Sequence, residues 1–149
     1  MTFENITRGT DCKCLKNCSE NTVDVFARRT GDSKELKNKD FRTRFEGGKE
    51  VSDLKDCDEV CGNRGLSIDL WNDSSKDVIL DRYMVTNALS PRLKNHLSII
   101  KLKPNTGMVK RTPIKDQLGG EYHHDLYKSD NFAIEMIELI ENIPLISNV

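Results

Sequence analysis

No stretch of the 149-residue chain approaches the roughly 20 consecutive apolar residues that a membrane-spanning helix requires. Proline is scarce, at four residues, and no tract rich in proline, glycine or serine marks a linker between domains. Internal repeats and low-complexity segments are lacking too, which leaves one domain over residues 1–149 as the expected organisation. Nor does charge of one sign dominate. The formal charge is −1, so net charge gives no argument for a nucleic-acid or membrane-surface partner. The segment Met1–Asn5 has neither the basic start nor the apolar core of a secretory signal, and the expectation is a cytoplasmic protein. A P-loop, an H-E-x-x-H pair and a G-x-S-x-G elbow are all missing, so no familiar catalytic signature points to a reaction.

What is present suffices for a core. The chain is 36% hydrophobic and 32% charged, with apolar runs that offset the ordering entropy of folding. Thr22–Ala27 alternates and is β-branched, which predicts a strand. Asp40–Phe45 predicts a short helix with Phe41 and Phe45 one turn apart, and Asp53–Cys61 a second, capped by Ser52 and ended by Gly62. Leu66–Trp71 alternates cleanly and predicts a strand, followed by a helix from Ser74 or Ser75 that ends before Pro91. His96–Lys103 and Met108–Thr112 flank Pro104-Asn105-Thr106-Gly107 and predict a β-hairpin, and Ser129 or Asp130 opens a last helix to about Asn142. The expected fold is α+β: a small, partly antiparallel sheet with three to four helices. Residues 1–65 form a cysteine-bearing part and residues 66–149 a strand-helix-hairpin-helix part.

The cysteines fall into two groups, Cys12, Cys14 and Cys18 in a polar segment and Cys57 and Cys61 on the predicted helix. Positions i and i+4 of a helix share a face, so the last two thiols point together. Four thiolates from two short clusters meet the tetrahedral demand of one structural zinc, although the spacing is not that of a standard finger. Reduced thiols packed in the core are the competing reading. Disulfides are disfavoured by the expected compartment and the odd count.

From Ser90 to Lys115 every charged residue is basic, while the stretch from Asp116 onward carries seven acids against Lys128. In the predicted hairpin Lys101 faces Lys110, and Lys101, Lys103, Lys110 and Arg111 become a candidate anion-binding face. An internal match to the acidic segment is the alternative. Arg28, Arg29, Arg42 and Arg44 are a second candidate set for a phosphate group, or a solvated face. His123 and His124, in Gly119–Tyr127, are the candidates for general acid–base chemistry. An extended backbone would let only one of them face a site.

Three functions follow as expectations. The first is a non-catalytic binding or interaction module, stapled by zinc, that contacts an anionic partner: nucleic acid, a phosphorylated ligand or an acidic protein surface. The second is a small enzyme acting on a nucleotide or other phosphorylated substrate through a histidine. The third is a structural subunit of a larger complex, or a homo-oligomer, joined through the wide apolar face of the last helix.

Overall fold

The computed structural model describes residues 1–3, 15–31, 35–44, 46, 64–89 and 95–145. Within them lie six strands and one α-helix: β1 (Val25–Thr30), β2 (Leu66–Leu70), α1 (Lys76–Leu89), β3 (His96–Leu102), β4 (Gly107–Arg111), β5 (His123–Lys128) and β6 (Ile137–Pro144). All six strands belong to one sheet in the order β4-β5-β2-β1-β3-β6, and every pairing is antiparallel. The expected α+β domain with three to four helices is therefore corrected to a mostly β fold with one α-helix among the described residues.

Strand β2 and helix α1 follow the sequence pattern. Leu66, Ile68 and Leu70 lie on one face of β2, and Asn72 begins the turn that starts α1. Its Oδ1 accepts the N–H groups of Ser74 at 2.9 Å and Ser75 at 3.0 Å, and its own N–H donates to Ser75 Oγ at 3.0 Å. Strand β1 starts later than the alternation predicts. Asn21 Oδ1 accepts from the N–H groups of Val23 and Asp24, which turns that stretch before the sheet is entered. The predicted helix Asp40–Phe45 is a 3₁₀ turn at Asn38–Phe41, and the predicted helix Asp53–Cys61 lies outside the described residues.

Two larger expectations fail for stated reasons. The hairpin does not form: β3 pairs with β1 and β6, whereas β4 pairs with β5 at the far edge. Pro104–Gly107 does make a turn, with Thr106 N–H donating to Lys103 O, but Thr106 and Ser129 bond into other segments. Thr106 O accepts from Ser129 N–H at 2.9 Å, and Ser129 Oγ donates to Asn105 O at 2.7 Å. The last helix is likewise replaced by β6. There Ile99 faces Glu141 while Ile100 faces Leu139, so Ile140 is an extra, bulged residue. The bulge shifts the inside–outside alternation by one. Apolar residues at 137, 139, 140 and 143 then imitate the three- and four-residue spacing of a helix.

The strand order also dictates curvature. Between β3 and β4 lie four inter-strand spacings, about 19 Å in a flat sheet. The five residue steps from Leu102 to Gly107 reach at most about 17 Å, and the turn shortens that reach. The sheet must curl. Its concave side encloses a core that includes Phe26, Ile68, Ile100 and Leu126 with Val109 of one edge strand and Ile137 of the other, closed over by Phe41. On the opposite side α1 packs Ile79 against Ala27, Leu97, Ile99 and Leu145.

Candidate functional site

Strands β1 and β2 are paired over only two positions, Phe26 with Leu70 and Ala27 with Asp69. Beyond Ala27 they splay, and Arg28 fills the opening. Its Nε donates to Asp40 O at 2.7 Å, its Nη1 donates to Ser67 O at 2.9 Å, and its guanidinium lies 5.3 Å from the Phe41 ring centroid. Burial lowers the Arg28 pKa from its ordinary value, with Tyr83 and Asp40 acting the other way; arginine remains charged at any physiological pH.

The 3₁₀ turn that carries Phe41 is fixed by the buried Asp40, whose carboxylate accepts from Gly31 N–H and Lys37 N–H. Next comes a reciprocal turn in which Thr43 N–H donates to Glu46 Oε1 at 3.0 Å and Glu46 N–H donates to Thr43 Oγ1 at 3.1 Å. Lys128 holds this turn from β5. Its Nζ donates to Glu46 Oε1 at 2.6 Å and to Phe41 O at 2.9 Å, and it sits 4.8 Å from the Phe132 ring centroid. Burial alone would raise the Glu46 pKa, but the Lys128 ammonium and the Thr43 donors hold the carboxyl below its ordinary value.

Two clefts open on this scaffold and share Arg42. The smaller, about 210 Å³, is lined by Arg28, Arg42, Arg44, Thr43 and Ser67 among others. The larger, about 440 Å³, is lined by Asn38, Lys39, Arg42, Glu46, Lys128 and Phe132. Arg42 is fixed by a bond from its Nη2 to Glu46 O at 3.1 Å. Three arginines line this cleft and no described carboxylate does, and the planar guanidinium fork has the geometry that pairs with phosphate or carboxylate oxygens. Of the second arginine set, Arg28, Arg42 and Arg44 are brought together. Arg29 is not: it turns to α1, where Nη2 donates to Asn87 Oδ1. Thr43, Ser67, Asn38 and Phe132 carry no sequence signal of their own, since they join the site only through the splay of β1 from β2 and the placement of the loops.

The other candidate cations are scattered. Lys101 stands opposite Glu138, Lys103 Nζ donates to Glu135 O at 3.0 Å, Lys110 stands opposite Asp125, and Arg111 stands opposite His124 at the other end of the sheet. Lys101 and Lys110 do not face each other. In register each stands opposite a residue of the acidic segment.

The histidines point to opposite faces of β5. His123 is buried: Nδ1 lies 2.9 Å from Thr112 O and Nε2 lies 3.1 Å from Ser67 Oγ. With the proton on Nδ1 donated to the carbonyl, Nε2 accepts from the Ser67 hydroxyl. Asp125, adjacent on the sheet, has its pKa raised by burial, against the lowering effects of His123 and the Thr112 hydroxyl. His124 turns to the concave core, with its ring edge-on to Phe26 at 5.5 Å and Nδ1 donating to Tyr122 O.

Beneath α1, on the face of β2 opposite Leu66, Ile68 and Leu70, is a buried carboxylate. Asp69 Oδ2 accepts from Arg82 Nη2 at 2.6 Å and from Tyr83 OH at 2.7 Å, while Oδ1 has no partner among the described residues. Of the cysteines only Cys18 is described; it is half-buried beside Phe3 and Tyr127, and Cys12, Cys14, Cys57 and Cys61 lie outside the described residues. No group of three or more metal-ligating side chains occurs among the described residues. No described helix is long and apolar enough to cross a membrane. Compared with known proteins, the chain matches no family model, no curated protein and no solved structure.

Proposed function

We propose that the protein is a binding module for a phosphate-bearing partner, held in the cleft of Arg28, Arg42 and Arg44. The observation that carries this reading is the convergence of three guanidinium groups, one of them fixed in the gap between two strands, on a cleft lined by no described carboxylate. Arg28 is already oriented by two backbone carbonyls, so little side-chain freedom is lost when an anion arrives. Titration calorimetry with inorganic phosphate tests the reading. Binding should weaken as salt rises, and Arg42→Ala or Arg44→Ala should weaken it about 10- to 100-fold, as expected for losing hydrogen bonds to a charged group. Equal heats from the native protein and the Arg42→Ala/Arg44→Ala double variant would reject it. One structural zinc on four of the five cysteines belongs to the same proposal, supported by their spacing, and elemental analysis of the purified protein decides it.

One observation favours a second reading, a small enzyme acting on a phosphorylated substrate. Ser67 lines the arginine cleft and its hydroxyl meets His123 Nε2, an arrangement in which the imidazole can take the serine proton. Turnover of phosphate esters that survives both Ser67→Ala and His123→Asn would dismiss that role. The third expectation, assembly through an apolar last helix, loses its basis because that segment is a strand.

A further inference from the structure

We infer that the partner is a nucleotide, with its phosphate in the arginine cleft and its base in the adjoining cleft beside Phe132; this rests on the phosphate-site reading above. The two clefts meet at Arg42 and differ in chemistry. In the larger one the Lys128 charge is already matched by Glu46 at 2.6 Å, so that end is less cationic than its lysine and arginine suggest. What it offers besides Lys39 and Arg42 is the half-buried Phe132 ring, with Lys128 Nζ over one of its faces at 4.8 Å, and the exposed amide of Asn38.

A second phosphate would meet the Glu46 carboxylate there, and a sugar, which can lay only its C–H groups on the ring, would gain less from it than a flat aromatic base. A purine or pyrimidine fits both groups. Its π face packs on an aromatic ring, and its edge pairs with an amide that both donates and accepts. The volume, about 440 Å³, lies within the roughly 300–1,000 Å³ of small-molecule sites. The smaller cleft, about 210 Å³, is suited to the single tetrahedral group. The ligand is therefore polarised in the same sense as the site: anionic at the Arg28–Arg44 end and aromatic at the Phe132 end.

Calorimetry with inorganic phosphate, ribose 5-phosphate, adenosine monophosphate, uridine monophosphate and a short single-stranded oligonucleotide tests the inference on the full chain. The mononucleotides should bind about 5- to 150-fold tighter than ribose 5-phosphate, the margin of one stacked base. Phe132→Ala should remove that margin and leave inorganic phosphate unaffected. Because Phe132 also packs on Phe41, the exposed Asn38→Ala serves as the second variant, expected to narrow the margin and alter base preference without unfolding the protein. If ribose 5-phosphate binds as tightly as the nucleotides, the base site is wrong and the phosphate site stands. If inorganic phosphate itself fails to bind, both fall. An oligonucleotide that binds while mononucleotides do not overturns the inference in favour of a single-strand groove.

Discussion

Asp69 sits fully buried in the middle of β2, and its charge is tolerable only because α1 delivers two donors to one of its oxygens. Tyr83 is the donor whose state depends on pH. Burial, reinforced by the neighbouring carboxylate and opposed by Arg82, pushes its phenol up to about 12 from an ordinary 10. The folded protein thus keeps a proton that the unfolded chain releases. The stabilisation is complete below pH 10 and disappears as pH climbs toward about 12. Tyr83→Phe removes the bond to Asp69 and should cost about 1.5–3 kcal/mol at pH 7 to 9, the usual loss for a hydrogen bond to a charged acceptor. That deficit should shrink between pH 10 and pH 12 as the native protein loses its own advantage. Urea unfolding of both proteins across this range measures it, and a gap independent of pH would refute the assignment. Nothing in Leu66-Ser67-Ile68-Asp69-Leu70 distinguishes this carboxylate from a solvent-facing one. Alternation gives the face on which a residue lies, not whether a helix later covers that face.

At the scale of elements, legibility divides along how local the determining forces are. Strand β2 and helix α1 were readable because alternation and the polar turn before the helix act within a few residues, although the side chain that closes that turn is Asn72 and not a capping serine. Strand β6 was not, since its bulge at Ile140 gives the apolar set a helical spacing, and only pairing with β3 establishes the true register. The arginine cleft was half readable: its cations were visible as a cluster, but the splay that selects Arg28 over Arg29 is a tertiary event. Cross-strand bonds reinforce the β1–β3–β6 edge. His96 Nδ1 donates to Asn142 Oδ1, Asn142 Nδ2 donates to Ser98 Oγ at 3.0 Å, and Ser98 meets Thr30 at 2.6 Å, with His96, Ser98 and Thr30 all buried. Asn142→Leu removes both the acceptor of His96 Nδ1 and the donor to Ser98 Oγ and should destabilise the protein by about 1–3 kcal/mol. Converting the partners as well, with Thr30→Val and Ser98→Ala, should restore part of that loss, because paired removal leaves fewer orphaned groups. Additive losses in thermal melts of the single and triple variants would show that the three strands are not stitched by this chain of bonds.

For the whole molecule the decisive feature is the short link that carries the chain from β3 to β4 and obliges the sheet to curl. That curvature brings Lys128 of β5 to the Phe41–Glu46 turn, and with it both clefts acquire their walls. Gly107, the first residue of β4, sets how closely the link can approach β5. A Cβ placed there would collide with the carbonyl oxygen of Tyr127 and press on the Lys128 backbone. Backbone cannot yield as a flexible side chain does, so Gly107→Ala must push β4 away from β5 or open the link. Either response loosens the edge that contributes Val109 to the concave core and shifts Lys128, which follows Tyr127 directly. The expected outcome is a loss of about 2–4 kcal/mol in urea unfolding, within the range of severe backbone strain and disturbed core packing. Phosphate affinity should fall in parallel even though Gly107 lines neither cleft. A Gly107→Ala protein of native stability and affinity would mean that β4 can move without its neighbours. The curl would then not be what holds the site together.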